Sequence, residues 1–179
     1  MAWAMFTKGQ NAALIEIANS DSPRVIAILG GAMLDESLRR ALEFRFRQHE
    51  NTNKKLFSIN GGLGNLGSKI DLAFQLYMIN SQMRKAMEGI NEIRNEFAHQ
   101  LDTSFDAETA SMTRALKKLT LHEGKTRYPN TEQDIELVVT NEDRFRINLQ
   151  LALLWLFDDN QKHVIWSNTP INFRYVPPD

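Results

Sequence analysis

The chain has 179 residues, 42% of them hydrophobic and 24% charged, and its formal net charge is −1. This length predicts one globular domain that can fold without disulfides or structural metals. The lack of cysteine excludes a disulfide framework, a thiolate nucleophile and a cysteine-ligated zinc site. Because the first residues show no secretory pattern and no run of about 18 apolar residues occurs, we expect a cytoplasmic protein that does not span a membrane.

Two helices are predicted at the start of the chain. Residues 11–18 suit a short helix, and a long helix is predicted over 23–47, where apolar residues recur at helical spacing. Ser22 can cap the long helix, and a proline follows it at the first helical position. Gly30 and Gly31 lie in its middle at a cost of roughly 1 kcal/mol each, so we expect them to admit a closely packed neighbouring helix.

The remaining elements follow a connector over residues 48–67 that is first polar and then rich in glycine. In chain order we expect a helix from near Ser68 through Tyr77, a core helix that Ser81 can cap, a helix over 106–121, a short strand over 135–139 and a last helix over 142–158. From Leu149 to Phe157 the last helix is apolar on every side, which indicates deep burial or a subunit interface.

These elements predict an all-α fold with one domain over 1–179. We expect a bundle of about five to seven helices, with an irregular or short β segment near 122–140. The core is expected over about 22–158 and an extended C-terminal tail over 164–179.

The glycine-rich segment 62–67 formally matches the dinucleotide fingerprint G-x-G-x-x-G. That motif binds phosphates only within a βαβ unit, whereas a long helix precedes this segment and no second hydrophobic strand follows it. We therefore expect a tight loop that packs Leu63 and Leu66 onto the helices, and no cofactor. Glu96 and His99 form a single Glu-x-x-His pair, which is too few ligands to predict a metal site.

A polar group at the end of the core helix has two interpretations, one structural and one catalytic. Asn95 and His99 are four residues apart and share one helix face, which Arg94 flanks. In the structural interpretation these three side chains form a network with Asp35 and Glu36, which interrupt an apolar stretch of the long helix. It predicts that Arg94→Ala lowers the melting temperature substantially by breaking a buried network.

In the catalytic interpretation Arg94 binds a phosphate and Asn95 is its polar neighbour. His99 moves a proton, since imidazole titrates near neutral pH. These roles would fit cleavage of RNA without a metal.

The charge balance does not indicate a nucleic-acid track. The 21 lysines and arginines are offset by 22 acidic residues, and the basic residues fall in scattered pairs. Proteins that hold DNA by themselves usually concentrate basic residues on one face. We interpret the pairs as solvated helix faces, and direct DNA binding stays an open alternative.

Several short segments together resemble the mannitol operon repressor (MtlR) family of bacterial regulators. The resemblance extends from about Ser22 to Phe157 and is carried by Ser22–Arg24, Leu34–Glu36, Leu56–Phe57, Leu63–Gly64, Gly67–Ile70, Asp71–Ala73, Ile93–His99 and Ser104–Phe105. It implies an all-helical cytoplasmic protein that acts in repression of sugar-alcohol uptake genes. Because that family has no recognisable helix-turn-helix, the resemblance leaves regulation through a protein partner open beside operator binding.

A shorter segment is similar to the Arg-polar-(x)n-His motif of HEPN domains, which are small helical bundles. Many of these are ribonucleases whose active site forms across a dimer, so the resemblance implies catalytic roles for Arg94 and His99, with Asn95 as the polar neighbour. This chain departs from the pattern because no tyrosine closely follows His99, and Asp102 adds negative charge where RNA would bind.

The sequence therefore leads to one main hypothesis and two alternatives. The main one is a non-enzymatic regulatory module of transcriptional repression that forms a homo-oligomer, with a dimer favoured and the apolar last helix as candidate interface. The alternatives are a HEPN-type ribonuclease, or an RNA-binding relative of one, and a direct DNA binder.

Overall fold

The computed structural model describes residues 8–46, 49–121, 125–127, 134–136 and 140–166. Within these ranges the chain forms seven helices and one two-stranded antiparallel ribbon, which confirms the predicted all-α bundle. The elements are α1 (Lys8–Asn19), α2 (Pro23–Arg45), α3 (Glu50–Leu56), α4 (Leu66–Gln75), α5 (Ser81–His99), α6 (Ala110–Lys117), β1 (Lys125–Arg127), β2 (Asp134–Glu136) and α7 (Asn141–Trp166). In the described part of the chain, no helix is both long and apolar enough to cross a membrane.

Side-chain caps set where several helices begin. The predicted cap Ser22 accepts a hydrogen bond from the backbone N–H of the third residue after it, as an N-cap does. Asn80, not Ser81, caps α5, and its Oδ1 lies 2.9 Å from the amide nitrogen of Met83. Thr109 caps α6, so that helix begins later than the predicted residue 106 and ends at Lys117.

Two boundary predictions were wrong, and a third is confirmed in part. The connector over 48–67 contains α3, whose polar sequence has no apolar stripe and buries no residue. Because α7 extends to Trp166, the first residues of the predicted tail over 164–179 are helical; the rest of that tail lies outside the described residues. The predicted strand over 135–139 overlaps β2, which pairs with β1, and its last three residues lie outside the described part.

The core is built around α2 and α5, which run antiparallel. Arg24 at the start of α2 donates to the carbonyl of Phe97 near the end of α5, while Gly31 further along α2 faces Arg94. An aromatic chain extends this contact to α7, with ring centroids 4.9 Å apart for Phe97–Phe105 and 5.2 Å apart for Phe105–Phe145. Helix α1 adds Leu14 and Ile17 to the same core, which therefore begins before residue 22.

The two central glycines of α2 are sites of close helix approach, as predicted. A Cβ at Gly30 would lie 2.7 Å from Cδ2 of Leu149 on α7, and a Cβ at Gly31 would lie 2.5 Å from Cγ of Arg94 on α5. Both distances are far shorter than a normal carbon–carbon contact of about 3.5–4.0 Å. The pair therefore lets two helices pack on α2 at the same level.

Helix α4 ends in a turn that holds a bulky residue in a left-handed conformation. Tyr77 has a φ of 54° and its side chain is exposed. The amides of Tyr77 and Met78 bond the carbonyls of Phe74 and Ala73, the pattern of a Schellman motif. Trp155 of α7 donates from Nε1 to the carbonyl of Met78 at 3.1 Å, which ties this turn to the last helix.

Candidate functional site

Segments that are far apart in the sequence meet where α2, α4 and α5 pack together. Asp35 of α2 is ion-paired with Lys69 of α4. Gly31 of α2 lies beneath the aliphatic stem of Arg94 on α5. Arg24, at the start of α2, binds the chain just after the end of α5. Four of the segments that carry the family resemblance therefore converge along α2.

The buried polar contact at this junction joins Asp35 to Lys69. The Lys69 ammonium donates to both carboxylate oxygens at 2.7 and 2.8 Å. Its side chain is 3% exposed, whereas that of Asp35 is 37% exposed. The ammonium is thus removed from water and depends on this one carboxylate, which makes loss of the carboxylate costly.

Lys69 is the member of the buried polar contact that the sequence reasoning missed. It shares one face of α4 with Leu66, Ile70 and Ala73, all of which are buried. This spacing of three and four residues is that of an apolar stripe. A charged residue on such a stripe is the signal that could have indicated a buried ion pair.

The predicted network between Arg94 and Asp35 does not form. Arg94 is exposed, and its Nη1 donates to Oδ1 of the half-buried Asn95 at 2.8 Å, while Asp35 binds Lys69 instead. Glu36 is separate from both and pairs with Arg40 of its own helix at 2.8 Å. The structural interpretation therefore named the wrong partner for Asp35. The polar contact that joins α2 to a neighbouring helix is made by Lys69 and not by Arg94.

His99 is the last residue of α5 and is exposed. It lies five positions after Arg94, which corresponds to about 140° around the helix. Arg24 holds the turn that follows, because its guanidinium donates to the carbonyls of Gln100 and Leu101, each at 2.6 Å. We call the exposed end of α5 formed by Arg94, Asn95 and His99 the motif face.

The motif face is available to a second molecule. Within the described residues, the side chain of His99 makes no hydrogen bond or ion pair, and that of Arg94 bonds only to its neighbour Asn95. The guanidinium of Arg94 and the amide of Asn95 can bind an anionic or hydrogen-bonding group, and His99 offers an imidazole on another side of the helix end. The bundle itself does not need the polar ends of these side chains for its packing.

The glycine-rich loop buries Leu63 and Leu66 as predicted, and it packs against α3, which was not predicted. Leu63 and Leu66 are 8% and 7% exposed, and the amide of Leu63 bonds the carbonyl of Leu56 at 2.9 Å. Leu56 is the last residue of a helix, so the loop does not follow a strand. Over the described ranges, no three histidine or acidic side chains are grouped so that they could hold a metal ion.

Comparison with known proteins found no match: no family model, no curated protein and no solved structure matches this chain. The motif face is therefore interpreted from its own geometry and from the residues that form it.

The ion pair of Asp35 with Lys69 and the exposed guanidinium of Arg94 should contribute differently to the stability of the bundle. We expect Asp35→Ala to lower the free energy of unfolding by about 2–3 kcal/mol, because it leaves the Lys69 ammonium buried without a counter-charge. Arg94→Ala should lower it by only about 1 kcal/mol, because the guanidinium is exposed and the variant loses only the packing of the aliphatic stem on Gly31. Urea unfolding of both variants measures the difference.

Asp71→Ala is the matched control, since it removes a carboxylate that is 64% exposed in its ion pair with Arg84. Its effect should be below about 0.5 kcal/mol. Adding Lys69→Met to Asp35→Ala should restore part of the lost stability, because the unpaired charge is removed as well. Equal losses of unfolding free energy for Asp35→Ala and Asp71→Ala would contradict the assignment of Asp35–Lys69 as the stabilising ion pair.

Proposed function

We propose that this protein is a cytoplasmic, non-enzymatic regulator of transcription that acts in repression of bacterial sugar-alcohol uptake genes. The proposal follows the resemblance to the mannitol operon repressor family. It is carried by one observation: four of the resembling segments converge along α2, and the motif face exposes Arg94 and His99, with the half-buried Asn95 bonded to Arg94. A surface that the fold maintains without using its polar groups internally suits recognition of a partner.

The pairing of charges favours a protein partner over operator DNA. On several helices the arginines and lysines are neutralised by carboxylates three or four residues away: Arg39 and Arg40 with Glu36 and Glu43, Lys54 with Glu50, and Arg146 with Glu142. Affinity for DNA depends on cations that can neutralise phosphates. These faces offer few such cations, so we propose that the motif face contacts a protein of the transcription machinery.

We further propose that the regulator is a homodimer that forms through α7. Leu151 and Leu154 of α7 are 36% and 46% exposed, and both lie within about one turn of Trp155. Trp155 is bonded to the turn that carries the exposed Leu76 and Tyr77. A two-fold axis through this apolar surface would bury the same residues on both copies.

The regulatory role is tested by transcript levels in the bacterium that carries the gene. Deleting the gene should raise the transcripts of sugar-alcohol uptake genes, and wild-type protein should restore repression. The double variant Arg94→Ala/Asn95→Ala should fail to restore it, because the motif face is lost while the bundle remains folded. Lys54→Ala/Lys55→Ala is the control on the exposed helix α3 and should repress normally. Unchanged transcripts after deletion would refute the role.

The dimer is tested by light scattering of the purified protein during size-exclusion chromatography. Wild type should have twice the mass of the chain, and Leu154→Glu should have the mass of one chain, because a charge on the apolar surface opposes its burial. Ile59→Glu, at a side chain that is 90% exposed on the loop before α4, is the matched control and should stay dimeric. A monomeric wild type would show the proposal to be wrong.

The exposure of Arg94 and His99 also favours a second candidate function, a HEPN-type ribonuclease that uses no metal. A guanidinium that reaches solvent can bind a phosphate, and a solvent-exposed imidazole can transfer a proton. Since these two side chains lie on different sides of the helix end, one active site would combine residues of two copies. Asn95 holds the guanidinium of its own copy.

RNA cleavage in EDTA separates the two candidates. If the protein is a ribonuclease, wild type cuts and His99→Ala is slower by about 100-fold or more, which is the usual loss of a general acid or base. Gln100→Ala changes the adjacent exposed side chain and should cut as wild type does. Circular dichroism confirms that each variant is folded. Absence of cleavage by wild type would exclude this candidate.

A further inference from the structure

A basic pocket lies between α5 and α6, on a side of α5 different from the one that packs on α2. Its volume is about 550 Å³, and it is lined by Lys85, Ala110, Thr113, Arg114, Lys117 and Lys118. Four of these six residues are cationic and none is acidic, although the chain as a whole carries a net charge of −1. A concave surface lined by one sign of charge raises the local concentration of ions of the opposite sign.

Two of the four cations are already engaged by carboxylates of α5. Lys118 donates to Glu92 at 2.9 Å and to Glu88 at 3.2 Å, and Arg114 lies 3.6 Å from Glu92. The hydrogen bond with Glu92 raises the pKa of Lys118, so the ammonium stays charged at neutral pH. These contacts hold the cationic side of α6 against α5.

The other two cations are free to bind a ligand. Lys85 and Lys117 are exposed, and neither has an acidic partner within the part of the chain that the structure describes. They approach the pocket from different helices. Arg114 and Thr113 belong to the same lining.

The size of the pocket and the charge of its lining residues indicate the class of ligand. A volume of about 550 Å³ lies within the range of roughly 300–1,000 Å³ that small-molecule sites occupy. Cationic side chains on two helices suit an anion with two or more negative charges better than a single carboxylate. An extended strand of nucleic acid would need cations that continue beyond the pocket, whereas Arg39, Lys54 and Arg146 on other helices are each paired with a carboxylate.

We propose that this pocket binds a small phosphorylated molecule with two or more negative charges, held by Lys85 and Lys117 and oriented by Arg114. The site is separate from the motif face and does not depend on the proposed regulatory function. Because both α5 and α6 contribute cations, a bound ligand would also strengthen the contact between these helices.

Isothermal titration with inorganic pyrophosphate at constant ionic strength tests the proposal. Wild type should bind one equivalent per chain. Lys85→Gln/Lys117→Gln should bind at least about tenfold more weakly, since each charge-assisted contact accounts for a factor of this order. Lys54→Gln/Lys55→Gln removes the same charge from α3 and should bind within about twofold of wild type. Thermal melting without ligand shows whether each variant is folded.

Two results would overturn the proposal: no binding by wild type, or an equal loss in both double variants, which would show a non-specific effect of charge. A second titration uses a single-stranded oligonucleotide of about ten nucleotides. If the oligonucleotide binds more tightly than pyrophosphate and loses affinity in Lys85→Gln/Lys117→Gln, the pocket belongs to a nucleic-acid surface and the small-ligand proposal is wrong. Weaker binding of the oligonucleotide supports it.

Discussion

The close approach of α5 and α7 to α2 is the constraint on which the rest of the bundle depends. Gly30 and Gly31 leave room for Leu149 and for the stem of Arg94 at the same level of α2. Residues with side chains at these two positions would push both neighbouring helices outward. This contact sets the spacing between the helices. The same spacing is required by the aromatic chain through Phe105, the ion pair of Lys69 and the motif face.

Helix α5 connects the two surfaces to which we assign binding. One side of the helix packs on α2 and carries Arg94, and another packs on α6 at Gly89, where a Cβ would lie 2.8 Å from the carbonyl oxygen of Ala115. Its carboxylates hold the cations of α6. The same helix therefore organises a polar face at its end and a cationic pocket along its length, without a shared side chain.

Apolar periodicity was sufficient to predict the long helices and the all-α class, because α2 and α5 each bury a continuous stripe. Apolar periodicity could not predict α3, because that helix buries no residue, and it could not predict which residues cap the helices. The partners of the polar side chains were harder to predict than the helices. Helical spacing places Arg94 beside a buried face, but only the tertiary packing decides that its guanidinium reaches solvent and that Lys69 takes the carboxylate of Asp35. Partners of long side chains depend on which helices meet, and the sequence pattern does not determine this.

The end of α5 is secured by a residue that lies far away in the chain. Arg24 is 73 residues from Phe97, yet its guanidinium binds the carbonyls of the last helical turn and of the residues beyond it. These carbonyls have no partner within the helix, and a cation there also opposes the negative end of the helix dipole. The last turn of α5 and the first turn of α2 consequently gain their stability together, as one cooperative unit. Local opening at the start of α2 would therefore remove the partner of the last carbonyls of α5 and of the turn that follows His99.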